Sequence, residues 1–96
     1  MTERDAEARI LKSLLSDAVS EPTGKDLRVL TAYATCVARV EDCRERCATD
    51  GVIVADAKGQ PVQHPALAVE RAAMEEMRSW NPIVDAVLQR LRRQFR

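Results

Sequence analysis

The sequence predicts an all-α protein carrying one small β-hairpin. Three observations predict it. Apolar residues recur at steps of three and four over most of the chain. Polar capping residues, followed by acids or proline, mark helix starts. Only Val52-Ile53-Val54 forms a β-branched run, and turn residues follow it.

The first helix is expected over residues 3–19. Thr2 with Asp5 has capping-box spacing, in which each side chain reaches the other's backbone amide. Ile10, Leu11, Leu14, Leu15 and Ala18 share one face, and Arg4, Asp5, Glu7, Arg9 and Lys12 stay off it. Pro22 disfavours helical geometry at Glu21, so the chain breaks there.

Thr23 and Asp26 repeat the capping signal and open the second helix near Gly24. It is expected to reach about Thr49, roughly 40 Å at 1.5 Å per residue. Leu27, Leu30, Ala34 and Val37 form one apolar seam. Val29, Tyr33, Cys36, Val40, Cys43 and Cys47 form another. A surface helix needs one stripe. Two predict burial on both sides, one against the protomer and one against a neighbouring chain; a fully central helix in a monomer has the same pattern. Mixed charges from Glu41 to Asp50 read as a solvated face, with ion pairs worth roughly a few tenths of a kcal/mol each. Gly51 ends the helix.

The hairpin is expected over residues 51–63. The branched Cβ atoms of Val52, Ile53 and Val54 suit an extended chain. Asp56-Ala57-Lys58-Gly59 supplies the turn. Pro61 lacks an N–H and fits only an edge position.

A third helix is expected over residues 65–79, with Ala66, Val69, Ala73, Met77 and Trp80 inward and Leu67 and Met74 widening that face. The hairpin returns the chain, so helices two and three should be antiparallel. Asn81-Pro82 then starts a fourth helix, a polar cap followed by a residue preorganised for the first turn. Its apolar face is Ile83, Val84, Val87, Leu88, Leu91 and Phe95. Residues 1–96 read as a single domain: an N-terminal helix over 1–20, an oligomerisation core over 23–80 and an arginine-rich helix over 81–96.

Composition bounds the function. Charges balance at 15 against 15, so overall charge argues for no partner. Aromatics are 3% of residues, and a core of Ala, Val and Leu is thin, which favours self-association as a second source of burial. No apolar run approaches the roughly 18 residues of a membrane span. Three cysteines without an export signal point to free thiols in a reducing cytoplasm. Cys43 and Cys47 lie one turn apart, but structural zinc takes four ligands, so the cysteines read as core and no metal or cofactor is expected. His64 has no nucleophile or carboxylate pair at a recognised spacing and reads as a junction before Pro65. No glycine-rich phosphate loop exists, and no catalytic residue is expected.

Residues 21–77 resemble the small subunits of tailed-phage terminases. The resemblance is carried by Tyr33-Ala34 in a long helix, the charges from Arg39 to Arg46, Asp50-Gly51-Val52-Ile53-Val54, Lys58-Gly59-Gln60-Pro61-Val62 and His64-Pro65-Ala66-Leu67. It implies a subunit that is not an enzyme. Such subunits assemble as homo-oligomeric rings, bind double-stranded viral DNA and present it to the large subunit, which holds the ATPase and nuclease. The implied location is the host cytoplasm.

Within that frame Arg90, Arg92, Arg93 and Arg96 are the leading DNA candidates, because guanidinium forks pair with phosphate and no acid follows Asp85. Lys58 at the hairpin tip, and Lys25 with Arg28 near the start of the second helix, are further candidates. The first two helices and their turn resemble a helix-turn-helix, a reading disfavoured by the two apolar seams of the second, since a recognition helix needs one polar face. A small dimeric DNA-binding regulator and a helical adaptor that never touches nucleic acid remain open as rivals.

Overall fold

The Thr2–Asp5 pair opens the first helix as its spacing demands. Asp5 N–H donates to the Thr2 hydroxyl and Thr2 N–H to the Asp5 carboxylate, both at 3.2 Å. The computed structural model describes residues 2–93. Its elements are α1 (Glu3–Leu14), α2 (Gly24–Asp50), β1 (Ile53–Ala55), β2 (Pro61–Gln63) and α3 (Ala66–Arg92).

α1 stops at Leu14, short of the expected residue 19. Ser16 and Ala18 make bonds of the tighter i→i+3 type, and Val19 N–H then donates to the Leu91 carbonyl at 2.8 Å. That tertiary bond satisfies a carbonyl in the last turn of α3, which the helix itself leaves unpaired. It draws the linker onto α3 instead of letting α1 continue.

α2 starts at Gly24, whose φ of +54° suits glycine. The repeated capping signal fails here. Thr23 makes no side-chain cap bond, and the Asp26 carboxylate is held instead by Arg90. A charge-assisted fork outcompetes a local turn contact.

The hairpin forms as expected, with Ile53 opposite Gln63, Val54 opposite Val62 and Ala55 opposite Pro61. Asp56 organises the turn. Its carboxylate accepts from Lys58 N–H and Gln60 N–H, both at 2.9 Å, and Gly59 takes a φ of +80°.

The expected third and fourth helices are one. α3 runs through Asn81-Pro82 to Arg92, so three helices replace the four expected. Pro82 removes the bond its amide would make to the Arg78 carbonyl, at a cost of about 3 kcal/mol. Beyond it, Val84, Val87, Leu88 and Leu91 are all buried. Each such side chain contributes about 1.5–3 kcal/mol. Their sum outweighs the proline, which sits on the exposed face.

α2 and α3 are antiparallel, tied by Asp26–Arg90, Cys36–Glu76 and Arg44–Glu70. The main core joins Val29 and Leu30 of α2 to Val84, Val87, Leu88 and Leu91 of α3, with Leu11, Leu14 and Leu15 closing over it. A smaller one joins Ile10 to Ala34 and Ala38. Both seams of α2 thus find partners within one chain. The molecule is long, 65 × 25 × 18 Å, with a radius of gyration of 16.8 Å.

Candidate nucleic-acid interface

Antiparallel packing gathers the basic residues at one end. It sets Lys25 and Arg28, at the start of α2, beside Arg90, Arg92 and Arg93 at the finish of α3. All five are exposed, but their charges differ in availability. Arg90 grips Asp26 through both guanidinium nitrogens, at 3.0 and 3.2 Å. That fork fixes the arginine and offsets its charge. Arg92 lies 3.9 Å from Asp17, and both side chains are well exposed; a pair this loose is worth little in water and yields to phosphate. Lys25, Arg28 and Arg93 have no carboxylate partner among the described residues. The end therefore presents Lys25, Arg28, Arg92 and Arg93 as movable cations, with Arg90 as a strut beneath them.

Lys12 joins this end, and sequence reasoning missed it. It lines an open cleft between the last turns of α1 and residues 18–22, together with Ser13, Ser16 and Ser20. Its placement depends on the Val19–Leu91 bond, which has no local signature.

Lys58 does not join them. It occupies the hairpin turn, beyond the far end of α2 from the other cations. On one chain it cannot contact the same few phosphates as Arg92, because the whole length of that helix separates them. Arg96 and Phe95 lie outside the described residues.

The seam expected between chains is largely filled inside the protomer. Val29, Cys36, Val40 and Cys43 are buried, and Tyr33 and Cys47 are half-buried. The apolar surface still open lies elsewhere. On α3, Val69 and Ile83 are about half exposed, at 51% and 47%. Ala72, Glu76, Ser79 and Ala86 are exposed on the same heptad-spaced stripe, with the Glu76 carboxylate turned to Cys36. Val52 and Ile53 are exposed on the hairpin, at 54% and 57%.

All three cysteines are free thiols, Cys36 and Cys43 buried and Cys47 half-buried. Burial, then the hydrogen bond to Glu76, push the Cys36 thiol up to about 12. Burial and the neighbouring Asp42 also raise Cys43. Both stay protonated and unreactive at neutral pH, since the thiolate is the nucleophile and the metal ligand. No group of three or more His, Cys, Asp or Glu able to hold a metal ion occurs among the described residues.

His64 clasps the hairpin root. Its Nδ1 accepts from Ala66 N–H at 3.0 Å, capping α3, and Nε2 meets Asp50 at 2.9 Å. With Nδ1 accepting, Nε2 carries the proton and donates to the carboxylate. His64 N–H also donates to the Val52 carbonyl at 2.8 Å. One residue thus ties the end of α2, the start of β1 and the start of α3 together. Among the described residues, no helix is long and apolar enough to cross a membrane.

The family described as phage terminase, small subunit, matches residues 8–82, from within α1 through the hairpin and past the middle of α3. No curated protein and no solved structure matches the chain.

Proposed function

The chain belongs to the phage terminase small subunit family, and from that premise we propose that it binds double-stranded viral DNA and presents it to the large terminase subunit. It does so as a homo-oligomeric ring without catalytic activity of its own, in the host cytoplasm. The observation that carries the DNA reading is the gathering of Lys25, Arg28, Arg92 and Arg93 at one end of the α2–α3 pair. Cations there suit phosphate, and repetition around a ring would multiply them into a belt. The helix dipole favours Arg92 and Arg93 at the C-terminus of α3.

The ring reading is supported by shape. The chain has a mass of 10.7 kDa. A compact monomer of that mass exposes about 5500 Å². This chain exposes 7108 Å². The excess, roughly 1600 Å², is about twice the roughly 800 Å² that each partner buries in a standard specific interface, enough for one contact on each side of a ring subunit. The stripe of Val69, Ala72, Ser79, Ile83 and Ala86 on α3 is the surface we assign to the neighbouring subunit, with Tyr33 and Cys47 as the half-open members of the α2 seam.

DNA affinity measured against salt tests the reading, comparing the parent with Arg92→Glu/Arg93→Glu. Weaker binding and a salt slope shallower by about one to two are expected. Unchanged binding removes this end from the interface. Native mass tests the ring separately, and a stable dimer with no larger species overturns it.

A further inference from the structure

The two edges of the hairpin are chemically unequal. His64 N–H donates to the Val52 carbonyl, and Asp56 N–H to the Gln60 carbonyl. These bonds fix the phase of the ladder. Antiparallel pairs alternate between hydrogen-bonded and non-hydrogen-bonded, so Val54 and Val62 exchange bonds across the hairpin. Ile53 opposite Gln63, and Ala55 opposite Pro61, are the non-bonded pairs. Their amide and carbonyl groups therefore point outward.

On the β2 side, Pro61 has no N–H to offer, so that edge is blunted. On the β1 side nothing blunts the edge. Residues 52–55 carry no charge, no lysine and no proline, and Ile53 is 57% exposed. Two donors and two acceptors lie open in an apolar, uncovered strand.

We infer that the β1 edge pairs with β1 of a second copy of this chain, antiparallel about a two-fold axis through Val54. The open groups are self-complementary under that operation. Ile53 exchanges both bonds with Ala55 of the second copy, and Ala55 with its Ile53, making four hydrogen bonds in all. Val54 of each copy meets the other on one face, and Ile53 packs beside Ala55 on the opposite face. A second copy is favoured over a head-to-tail neighbour because a β1-to-β2 contact would meet the missing donor of Pro61. It is favoured over a foreign strand because the open groups of Ile53 and Ala55 match those of their own copy, donor to acceptor, at all four positions. An isologous contact of this kind joins protomers in pairs. A two-fold contact does not close a ring, so it joins protomers of two rings to each other; it is distinct from the helix stripe assigned to ring closure, and it does not rest on the DNA reading.

A disulfide tests it. Val54→Cys in a Cys47→Ser background places two thiols at a non-hydrogen-bonded pair on the axis, where side chains are closest. Mild oxidation is expected to link the chains in pairs, with the Ile53 and Ala55 amides protected from hydrogen exchange. Adding Ala55→Pro removes two of the four edge bonds while leaving the internal ladder intact. Crosslinking is expected to fall roughly tenfold or more. Ile53→Lys, a charged edge residue without backbone consequences, is expected to do the same at unchanged helical circular dichroism. Gln63→Lys, on the blunted edge, is the control and should leave crosslinking as it was. Absence of the crosslink, or its survival in both β1 variants, overturns the two-fold contact. Freely exchanging Ile53 and Ala55 amides in the assembled protein overturn it too, and leave the edge to a strand from another protein.

Discussion

The two ends of this molecule are built on opposite principles. At the basic end three helices converge, and Leu30 is fully buried among Val29, Val84, Val87, Leu88 and Leu91. At the hairpin end none of the described strand residues is buried. That end is held by polar ties instead: Arg44 to Glu70 at 3.2 Å and the His64 clasp. The difference follows from α1, which runs along α2 through the Glu3–Arg39 and Arg9–Glu41 pairs and stops short of the hairpin end. Where it packs, branched side chains have a third wall and stability concentrates. Beyond it, small residues such as Ala66 and Ala73 suffice to pack two helices, and the chain is left free to meet other chains. Lys25, Arg28, Arg92 and Arg93 thus stand on the three-helix end, and the open strand edge and Lys58 on the end whose strands are not buried.

The largest test of this contrast is Leu30→Ala. It should cost about 2–5 kcal/mol in urea unfolding, because a fully buried leucine leaves a cavity in the three-helix core. A loss of only a few tenths of that size would mean that the basic end is not where stability resides.

His64→Ala should cost less, about 1–2 kcal/mol for two lost hydrogen bonds. Its effect should be local, with faster hydrogen exchange at residues 52–66 and none near Leu88. His64→Asn keeps a capping acceptor and should restore part of the protection. Uniform loosening of the whole chain would show that the two ends are not separable.

The smallest effect concerns the Cys36 thiol, near the junction of the two regimes. Its folded value is raised to about 12 from 9.0, by burial first and then by the bond to Glu76. A raised value means that the native state holds the proton more tightly. The resulting stability is fully present below pH 9.0 and is lost as pH rises through about 12. At pH 8, alkylation followed by mass spectrometry should label half-buried Cys47 before Cys36. Equal labelling would place Cys36 in a looser part of the fold than its burial indicates.

Much of this architecture was legible locally. Thr2 and Asp5 form their capping box because the four residues involved are contiguous and nothing distant competes. The hairpin follows from a β-branched run, an Asp–Gly turn and a proline confined to an edge. The four-helix expectation failed at Asn81-Pro82, where the local signal was correct chemistry with the wrong outcome. Proline's cost is fixed, whereas the burial of Val84, Val87, Leu88 and Leu91 accrues only once α2 lies alongside. Thr23 and Asp26 failed as a cap for the same reason, since Arg90 is a better partner and stands 64 residues away.

The candidate site divides in the same way. Sequence by itself determined which residues carry charge, where the chain reverses, and the family, through the run from Asp50 to Leu67. Tertiary structure alone decided which cations stand together, that Arg90 is held by Asp26, that Lys58 stands apart, and that the second seam of α2 is largely buried within its own chain, with Tyr33 and Cys47 left half-open. Periodicity reports that a face is buried without naming what buries it. Coulombic and hydrogen-bond partners depend on distances of a few ångströms, which chain-local patterns do not encode.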